Sequence, residues 1–278
     1  MSQPSSSASN GTNQSVPTQL DTAELNRELV SIFECPVCYE YVLPPIYQCH
    51  RGHLVCIHCR PKLTCCPSCR GSLRSIRNLA MEKVANAVFF PCKNASTGCV
   101  LCLPYPEKLK HEDICKFRCF PCPCPGTSCK WQGLMDLIVP HLTQDHESII
   151  TLQGEDIIFL ATDTNLPGNI DWIMVQSCFG FHFILILQKR EIYHGHQQFF
   201  AIVQMIASIN DAEKFLYRLD LSCPKRRLTW EATPKSIYEG VTEAILSGDC
   251  FVFDTTISDI FSDSGNLAIN VTISKRNS

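Results

Sequence analysis

The sequence predicts a multidomain protein with small cysteine-dense modules in its N-terminal half and an all-β antiparallel sandwich in its C-terminal half. Sixteen of the nineteen cysteines lie between Cys35 and Cys129. One Cys/His cluster, which begins at Cys92, occurs a second time 30 residues later, beginning at Cys122. From about residue 147 onward, runs of aromatic and branched residues are broken by Gly, Pro, Asn and Asp, which is typical of strands and turns. The 278 residues therefore divide more finely than the two ordinary domains that their number suggests.

Clustered cysteines form disulfides in an oxidising compartment or bind zinc in a reducing one. A secretory signal has a basic start followed by an apolar stretch, and neither is present in MSQPSSSASNGTNQSVPTQ. The longest apolar run, roughly residues 177–187, is shorter than the roughly 20 residues that cross a bilayer. We therefore expect a chain that stays inside the cell, has no membrane span and uses its cysteines to bind zinc.

Two segments flank the first cysteine cluster. Residues 1–20 are rich in Ser, Asn, Gln and Thr and have almost nothing apolar to bury, so we expect a disordered tail, which we extend to residue 32. Residues 75–91 are predicted to be a helical joint between modules. Six residues of this joint recur at helical spacing, namely Ile76, Leu79, Ala80, Val84, Ala87 and Val88.

Residues 33–74 contain four pairs of metal ligands, which are Cys35-x2-Cys38, Cys49-x3-His53, Cys56-x2-Cys59 and Cys66-x2-Cys69. Zinc prefers four Cys or His ligands in a tetrahedron, and ligands two or three residues apart can bend the chain around one ion. Eight ligands therefore make two closed sites. So short a segment cannot bury enough apolar area to fold alone, whereas a structural zinc supplies roughly 10–16 kcal/mol of apparent binding energy.

Residues 92–146 contain the internal repeat, which predicts a double zinc finger. The first copy provides Cys92, Cys99, His111 and Cys115, and the second provides Cys122, Cys129, His141 and His146. Cys124 is an alternative to Cys122, and the 30-residue period favours Cys122. Each copy holds one zinc with four protein ligands, which leaves no position for a catalytic water. All four zinc ions of the chain are therefore expected to be structural.

The distribution of charge argues against a nucleic-acid partner. Residues 1–146 carry 14 Lys and Arg against 11 Asp and Glu, whereas residues 147–278 carry 10 against 16. Twelve thiolates holding four zinc ions change the formal charge of the first part from +3 to −1, and the second part stands at −6. Nucleic-acid binding needs a concentrated basic face, and neither part has the balance for one.

Residues 147–278 are expected to form the sandwich. The clearest strands are FGFHFILILQ and QQFFAIVQMIAS, separated by KREIYHGH as a hairpin loop, and KSIYEGVTEAIL is a predicted helix. This part also contains three scattered cysteines, Cys178, Cys223 and Cys250. We interpret them as thiols buried among apolar neighbours rather than as a thioester-forming nucleophile.

The order of ligands in residues 33–74, with the single histidine in fourth place, resembles the RING finger of ubiquitin ligases. Spacing alone leaves open which pairs share an ion. The resemblance implies interleaved sites. One set is Cys35, Cys38, Cys56 and Cys59, and the other is Cys49, His53, Cys66 and Cys69.

The same resemblance implies a surface that binds a ubiquitin-conjugating enzyme. Val37, Leu63 and Pro67 occupy the places where RING fingers make an apolar landing surface. Arg70 follows the last ligand, where a basic residue of the family bridges ubiquitin and the conjugating enzyme. A charge-assisted bond of about 1.5–3 kcal/mol made only in the reactive geometry changes the rate by roughly 10- to 100-fold. The alternative for Arg70 is an ordinary surface charge.

The RING finger, the NLAMEKVAN joint, the double finger and the stretch TLQGEDIIFLATD together resemble the Seven-in-absentia homologue (SIAH) family, from about residue 33 almost to the end. The resemblance implies a TRAF-like sandwich that forms homodimers and binds extended degrons of the pattern Pro-x-Ala-x-Val-x-Pro. In the family the groove is formed by strands like TLQGEDIIFLATD and NIDWIMVQS. The candidate contacts, for which ordinary core positions are the alternative, are Leu152, Asp156, Ile170, Trp172 and Met174.

The resemblance implies an E3 ubiquitin-protein ligase, which we expect to act in the cytoplasm and nucleus. Its RING finger would recruit a charged conjugating enzyme, and its sandwich would recruit substrates for ubiquitination and proteasomal degradation. Because the reacting thiol belongs to the conjugating enzyme, we expect no catalytic residue on this chain. The alternative is a non-catalytic zinc-finger scaffold or transcription regulator.

Overall fold

The computed structural model describes residues 22–126, 128–193 and 195–276. The chain forms two compact units. One consists of the residues up to Pro91 together with Leu101–Leu109, and the other of Cys92–Val100 together with the chain from Lys110 onward. The boundary predicted at residues 91/92 coincides with a border between the two units, whereas no border falls at residues 146/147. Part of the first finger belongs to the first unit, and the second finger belongs to the unit that contains the sandwich.

The first unit is built from short elements. Its elements in chain order, the last of them running on into the second unit, are α1 (Thr22–Ser31), β1 (Tyr47–Gln48), β2 (Ile76–Arg77), α2 (Leu79–Ala85), β3 (Phe90–Pro91), β4 (Cys102–Leu103) and α3 (Tyr105–Ile114). Strands β1 and β2 pair antiparallel, as do β3 and β4. With strands of two residues each, hydrogen bonding within sheets contributes little to this unit.

Helix α1 shows that the prediction of a disordered tail over residues 1–32 was wrong for its last part. Val30 is buried, and Leu29 packs against the same small core, which centres on the rings of Phe33 and Phe90. The Asn26 side chain pairs with the backbone of Phe89, donating to its carbonyl and accepting from its N–H. These contacts offset the entropy of ordering the helix. Residues 1–21 lie outside the described part of the chain.

The predicted helical joint is shorter than residues 75–91. Helix α2 begins after Asn78, whose side-chain oxygen accepts a hydrogen bond from the Met81 N–H as an N-cap. It ends at Ala85. Val88 and Phe90 then leave the helical path because they are buried in the core of this unit.

The second unit contains two small fingers and the sandwich. Its elements after α3 are β5 (Phe120–Pro121), β6 (Gln132–Gly133), α4 (Ile138–Asp145), β7 (Ile150–Gln153), β8 (Asp156–Ala161), β9 (Ile170–Cys178), β10 (Phe181–Tyr193), β11 (His196–Met205), α5 (Ile209–Ala212), β12 (Phe215–Cys223), β13 (Arg226–Ala232), β14 (Lys235–Ser236), α6 (Val241–Ser247), β15 (Phe251–Asp254), α7 (Thr255–Phe261) and β16 (Leu267–Lys275). In the described part of the chain, no helix combines the length and the hydropathy needed to cross a membrane.

Two sheets form the sandwich. One has the strand order β14-β11-β10-β9-β7, with β15 also paired to β11, and the other has the order β13-β12-β16-β8. Pairing is antiparallel as predicted, except that β7 runs parallel to β9 and β14 runs parallel to β11. The sheets enclose a core to which β10 contributes Phe183, Leu185 and Leu187.

The six-stranded sheet is buried on both faces, because alternate residues of a strand point to opposite sides. Ile184 and Ile186 of β10 face away from the sandwich core and pack in a second cluster. That cluster also contains Phe120, Ile138 and Leu142 of the second finger. The second finger is therefore fixed to the sheet by a shared apolar core.

Two local predictions in the sandwich were too coarse. The predicted loop KREIYHGH is mostly strand, since β10 continues to Tyr193 and β11 begins at His196, with His194 outside the described residues. The segment KSIYEGVTEAIL contains the short strand β14 before helix α6, which begins only at Val241. Gly240, the residue before the helix, has an extended backbone, so the helical conformation starts only after it.

A lysine is buried inside the sandwich. Lys189 is 1% exposed, and its Nζ donates hydrogen bonds to the carbonyls of Thr164 (2.9 Å) and Leu166 (2.7 Å). The amine also lies 5.6 Å from the centroid of the Phe199 ring. Burial lowers the pKa of Lys189. The side chain thus holds the loop that connects β8 to β9.

Candidate functional site: four metal centres and a groove

The first metal centre joins two ligand pairs that are far apart in the sequence. The Sγ atoms of Cys35, Cys38, Cys56 and Cys59 all lie within 4.8 Å of one another. The Cys38 and Cys56 sulfurs are 3.7 Å apart. Zinc–sulfur bonds of about 2.3 Å in a tetrahedron place sulfurs about 3.8 Å apart, so the four thiols fit a zinc ion.

The second centre takes the remaining pairs, which is the interleaved arrangement that the RING resemblance implies. Its ligands are Cys49, His53, Cys66 and Cys69. The Cys49 Sγ lies 3.8 Å from the Cys69 Sγ and 3.4 Å from the His53 Nδ1. Burial alone would raise the pKa of the Cys49 thiol, but hydrogen bonds from the backbone around Arg51 and His53 lower it to about 6.

The two copies of the repeat form the third and fourth centres. Their ligand sets are Cys92, Cys99, His111 and Cys115, and Cys122, Cys129, His141 and His146. In the third, the Cys99 Sγ is 3.4 Å from the His111 Nε2. In the fourth, the corresponding Cys129–His141 distance is 3.6 Å. Each centre has four protein ligands, so zinc there is structural.

The fourth centre has a supporting shell of its own. The His141 Nδ1 lies 2.6 Å from the Asp145 carboxylate, one helical turn further along α4. This hydrogen bond directs the other ring nitrogen toward the metal, as in carboxylate–histidine–zinc triads. The Trp131 ring stacks on the His141 ring with a centroid distance of 4.1 Å. Both contacts fix the orientation of the imidazole.

In the described part of the chain, the cysteines outside the four sets belong to no group of metal ligands. Cys124, the alternative to Cys122, is buried beside the fourth centre and does not belong to its ligand group. Burial raises the pKa of its thiol. Burial also raises the pKa of Cys178 and of Cys250 to about 11, which disfavours the nucleophilic thiolate in both.

The residues predicted to contact a conjugating enzyme border the first two centres. Val37, between two ligands, is 41% exposed, Pro67 is exposed and Leu63 is half-buried. Arg70 is exposed and has a φ of 58°, and its N–H donates to the Cys66 carbonyl at 2.8 Å. Sequence reasoning missed Ile57, which is 48% exposed. Its position between two ligands, like that of Val37, was the available signal.

A groove of about 590 Å³ lies between the edge strands β7 and β8 and the start of β9. From these strands its lining includes Ile150, Leu152, Ile158, Leu160, Trp172 and Met174. Ile158 and Leu160 are 59% and 55% exposed. Cys124, Pro125 and His146 of the second finger also line it.

Three of the five predicted substrate contacts lie in this groove, and two do not. Leu152, Trp172 and Met174 line it, and the last two share one face of β9 as alternation predicts. Asp156 instead accepts a hydrogen bond from the Thr272 hydroxyl at 2.6 Å and lines a separate depression on the four-stranded sheet. Ile170 is the first residue of β9, beyond the lining of the groove.

The sequence matches three family models. They are described as E3 ubiquitin-protein ligase sina/sinah RING finger over residues 35–69, Sina zinc finger over residues 83–159, and Sina TRAF-like domain over residues 176–272. The chain is 64% identical to E3 ubiquitin-protein ligase sina of Drosophila melanogaster over 252 residues, covering 91% of this chain and 80% of that protein. It is also 64% identical to human E3 ubiquitin-protein ligase SIAH2 over 250 residues, covering 90% and 77%.

A RING finger followed by zinc fingers and a TRAF-like sandwich defines an E3 ubiquitin ligase of the RING type, which works with a conjugating enzyme and protein substrates. The predictions of this class, of structural zinc and of the fold class are confirmed. The chain belongs to the Sina/SIAH family.

The Asp145 contact predicts a change in metal affinity. Asp145→Asn should weaken zinc binding at the fourth centre by roughly 10- to 100-fold, because the His141 ring loses its carboxylate partner. Competition with a chromophoric chelator measures this affinity. Asp136→Asn, on an exposed residue of the same finger, is the matched control. Equal zinc release by the two variants would contradict a supporting role for Asp145.

Proposed function

We propose that the RING finger binds the conjugating enzyme through the exposed rim of its two metal centres. Val37, Ile57, Leu63 and Pro67 supply the apolar part of this surface. Arg70 supplies the charge. Arg70 is an exposed residue, which supports a role in which its side chain hydrogen-bonds to a partner protein. The geometry of the second centre supports this role, because Arg70 directly follows a ligand and its backbone is fixed to Cys66.

The chemistry that follows from this surface is positioning. A thioester between ubiquitin and the conjugating enzyme reacts fastest when the two proteins are held in one orientation. A guanidinium can hydrogen-bond to both through its several donors. Bonds made only in that orientation lower the barrier without tightening ground-state binding. The zinc ions hold the surface in shape when bound.

Arg70→Ala should lower the rate of ubiquitin discharge from the conjugating enzyme by roughly 10- to 100-fold. Alanine has the same Cβ as arginine, so the strain of the positive φ is unchanged. The measurement is single-turnover discharge to free lysine on a gel. Arg51→Ala, also exposed in the RING finger, should discharge at the wild-type rate. Equal rates for the two variants would remove Arg70 from the mechanism.

For substrate capture, we propose that the groove binds an extended degron of the Pro-x-Ala-x-Val-x-Pro pattern. The observation that carries this proposal is an incomplete strand pairing. Strand β7 pairs with β9 only from Met174 onward, so Ile170–Ile173 have no strand partner on that side among the described residues. An added peptide strand gains main-chain hydrogen bonds at such an edge, and its alternate side chains enter pockets.

Trp172→Ala should weaken the binding of a fluorescein-labelled Pro-x-Ala-x-Val-x-Pro peptide by roughly tenfold or more, because an aromatic pocket residue is lost. Trp172 also packs against the sandwich core, so Ile158→Asp, on an exposed groove residue, is a second variant that should not unfold the chain. Fluorescence polarisation gives the affinity. Leu246→Asp changes an exposed residue outside the groove and should bind normally. If Ile158→Asp binds the peptide as tightly as Leu246→Asp does, the groove is not the binding site.

We also propose a homodimer formed through the sandwich, action in the cytoplasm and nucleus, and proteasomal degradation of the substrates. The family membership supports all three. Sedimentation velocity at micromolar concentration should give the mass of two chains, and imaging of the tagged protein should show both compartments. A monomer at that concentration would contradict the first of these.

A further inference from the structure

We propose that the second zinc finger forms one wall of the substrate groove, so that peptide affinity depends on the position of the finger. This inference rests on the groove proposed above. Three finger residues line the cavity, namely Cys124, Pro125 and His146. His146 is itself a ligand of the fourth metal centre, with its Nε2 3.3 Å from the Cys122 Sγ. A peptide in the groove therefore lies against a metal-binding side chain.

The turn of the finger lies close to strand β9. Gly126 has a φ of +69°, and a Cβ built at this position would lie 2.6 Å from the Asp171 Oδ2. A carbon does not approach an oxygen so closely, so a side chain at this position would displace either the turn or the Asp171 carboxylate. The other Asp171 oxygen accepts a hydrogen bond from Arg190. Arg190 also donates to the carbonyl of Ile170, which keeps the carboxylate in place.

The contact lies at the open edge on which strand addition is proposed. Asp171 is within Ile170–Ile173, the part of β9 that β7 leaves unpaired. The Pro125–Gly126 turn therefore stands beside the path of the added strand. The body of the finger cannot easily move away, because Phe120, Ile138 and Leu142 share an apolar core with the sheet.

These contacts restrict the expected ligand to extended peptides that are long enough to reach the second zinc finger. The ligand is an extended segment that continues past the edge of the sheet and packs against the finger turn. Pro125 and Ile149 give that end of the groove an apolar character. A segment limited to residues that touch only the sheet lacks this contact.

The test is a double-mutant comparison in the full-length chain. The probe is a labelled Pro-x-Ala-x-Val-x-Pro peptide extended at both ends by about four residues, the length of a short strand. Gly126→Ala should raise its Kd by roughly tenfold, because the new Cβ displaces the turn from Asp171. In an Asp171→Ala background, Gly126→Ala should change the Kd little, because the carboxylate that the new Cβ would meet is absent. Gly180→Ala, at a φ of +78° with open space around it, controls for backbone strain and should bind normally.

Zinc content measured by native mass spectrometry separates displacement from unfolding. Pro125→Glu, which places a charge on the wall without changing the turn glycine, should also weaken binding while four zinc ions remain. If Gly126→Ala loses zinc, the affinity of Pro125→Glu tests whether the finger contributes to peptide binding. The inference is overturned if Pro125→Glu, or Gly126→Ala with all four zinc ions bound, binds the peptide with wild-type affinity. In that case the proposed groove is still supported if Ile158→Asp weakens binding. Failure of the wild type to bind the probe refutes the proposed groove and this inference with it.

Discussion

Tetrahedral coordination is the constraint on which the cysteine-dense half depends. The apolar core of the first unit is small, with Phe33 and Phe90 at its centre, and its strands are two residues long. Two closed zinc sites replace the missing burial by joining segments that are distant in sequence, such as those around Cys35 and Cys56. The surface residues follow from the same constraint. Val37 and Ile57 stand between paired ligands, and Arg70 follows one, so the metal fixes where each points.

The metal ligands and the alternation of side chains along a strand were predictable from the sequence. Sixteen Cys and His residues, eight in short-spaced pairs and eight in a 30-residue repeat, have few alternatives to zinc. The structure gathers them in four sets of four. The 30-residue repeat favoured Cys122 over Cys124, and the structure groups Cys122 with Cys129, His141 and His146. Strand periodicity placed Trp172 and Met174 on one face of β9, because a period of two is intrinsic to an extended chain.

Features that depend on contacts between distant segments were not predictable. Helix α1 exists because Leu29 and Val30 pack beside Phe90, and nothing in the composition of the N-terminal residues announces that partner. Helix α2 stops early because Val88 is buried elsewhere. The wall of the groove is a further case. It brings Gly126 to Asp171, 45 positions along the chain, through a shared core that no local pattern encodes.

The buried Lys189 has a consequence for a protein that directs modification of lysine amines. An acceptor amine must reach the thioester and lose a proton, and the Nζ of Lys189 is enclosed and bonded to the carbonyls of Thr164 and Leu166. While the sandwich is folded, this lysine is withheld from the reaction that its own chain promotes. A ubiquitin remnant on Lys189 would therefore identify molecules whose sandwich had already unfolded, and its amount would rise with the number of such molecules.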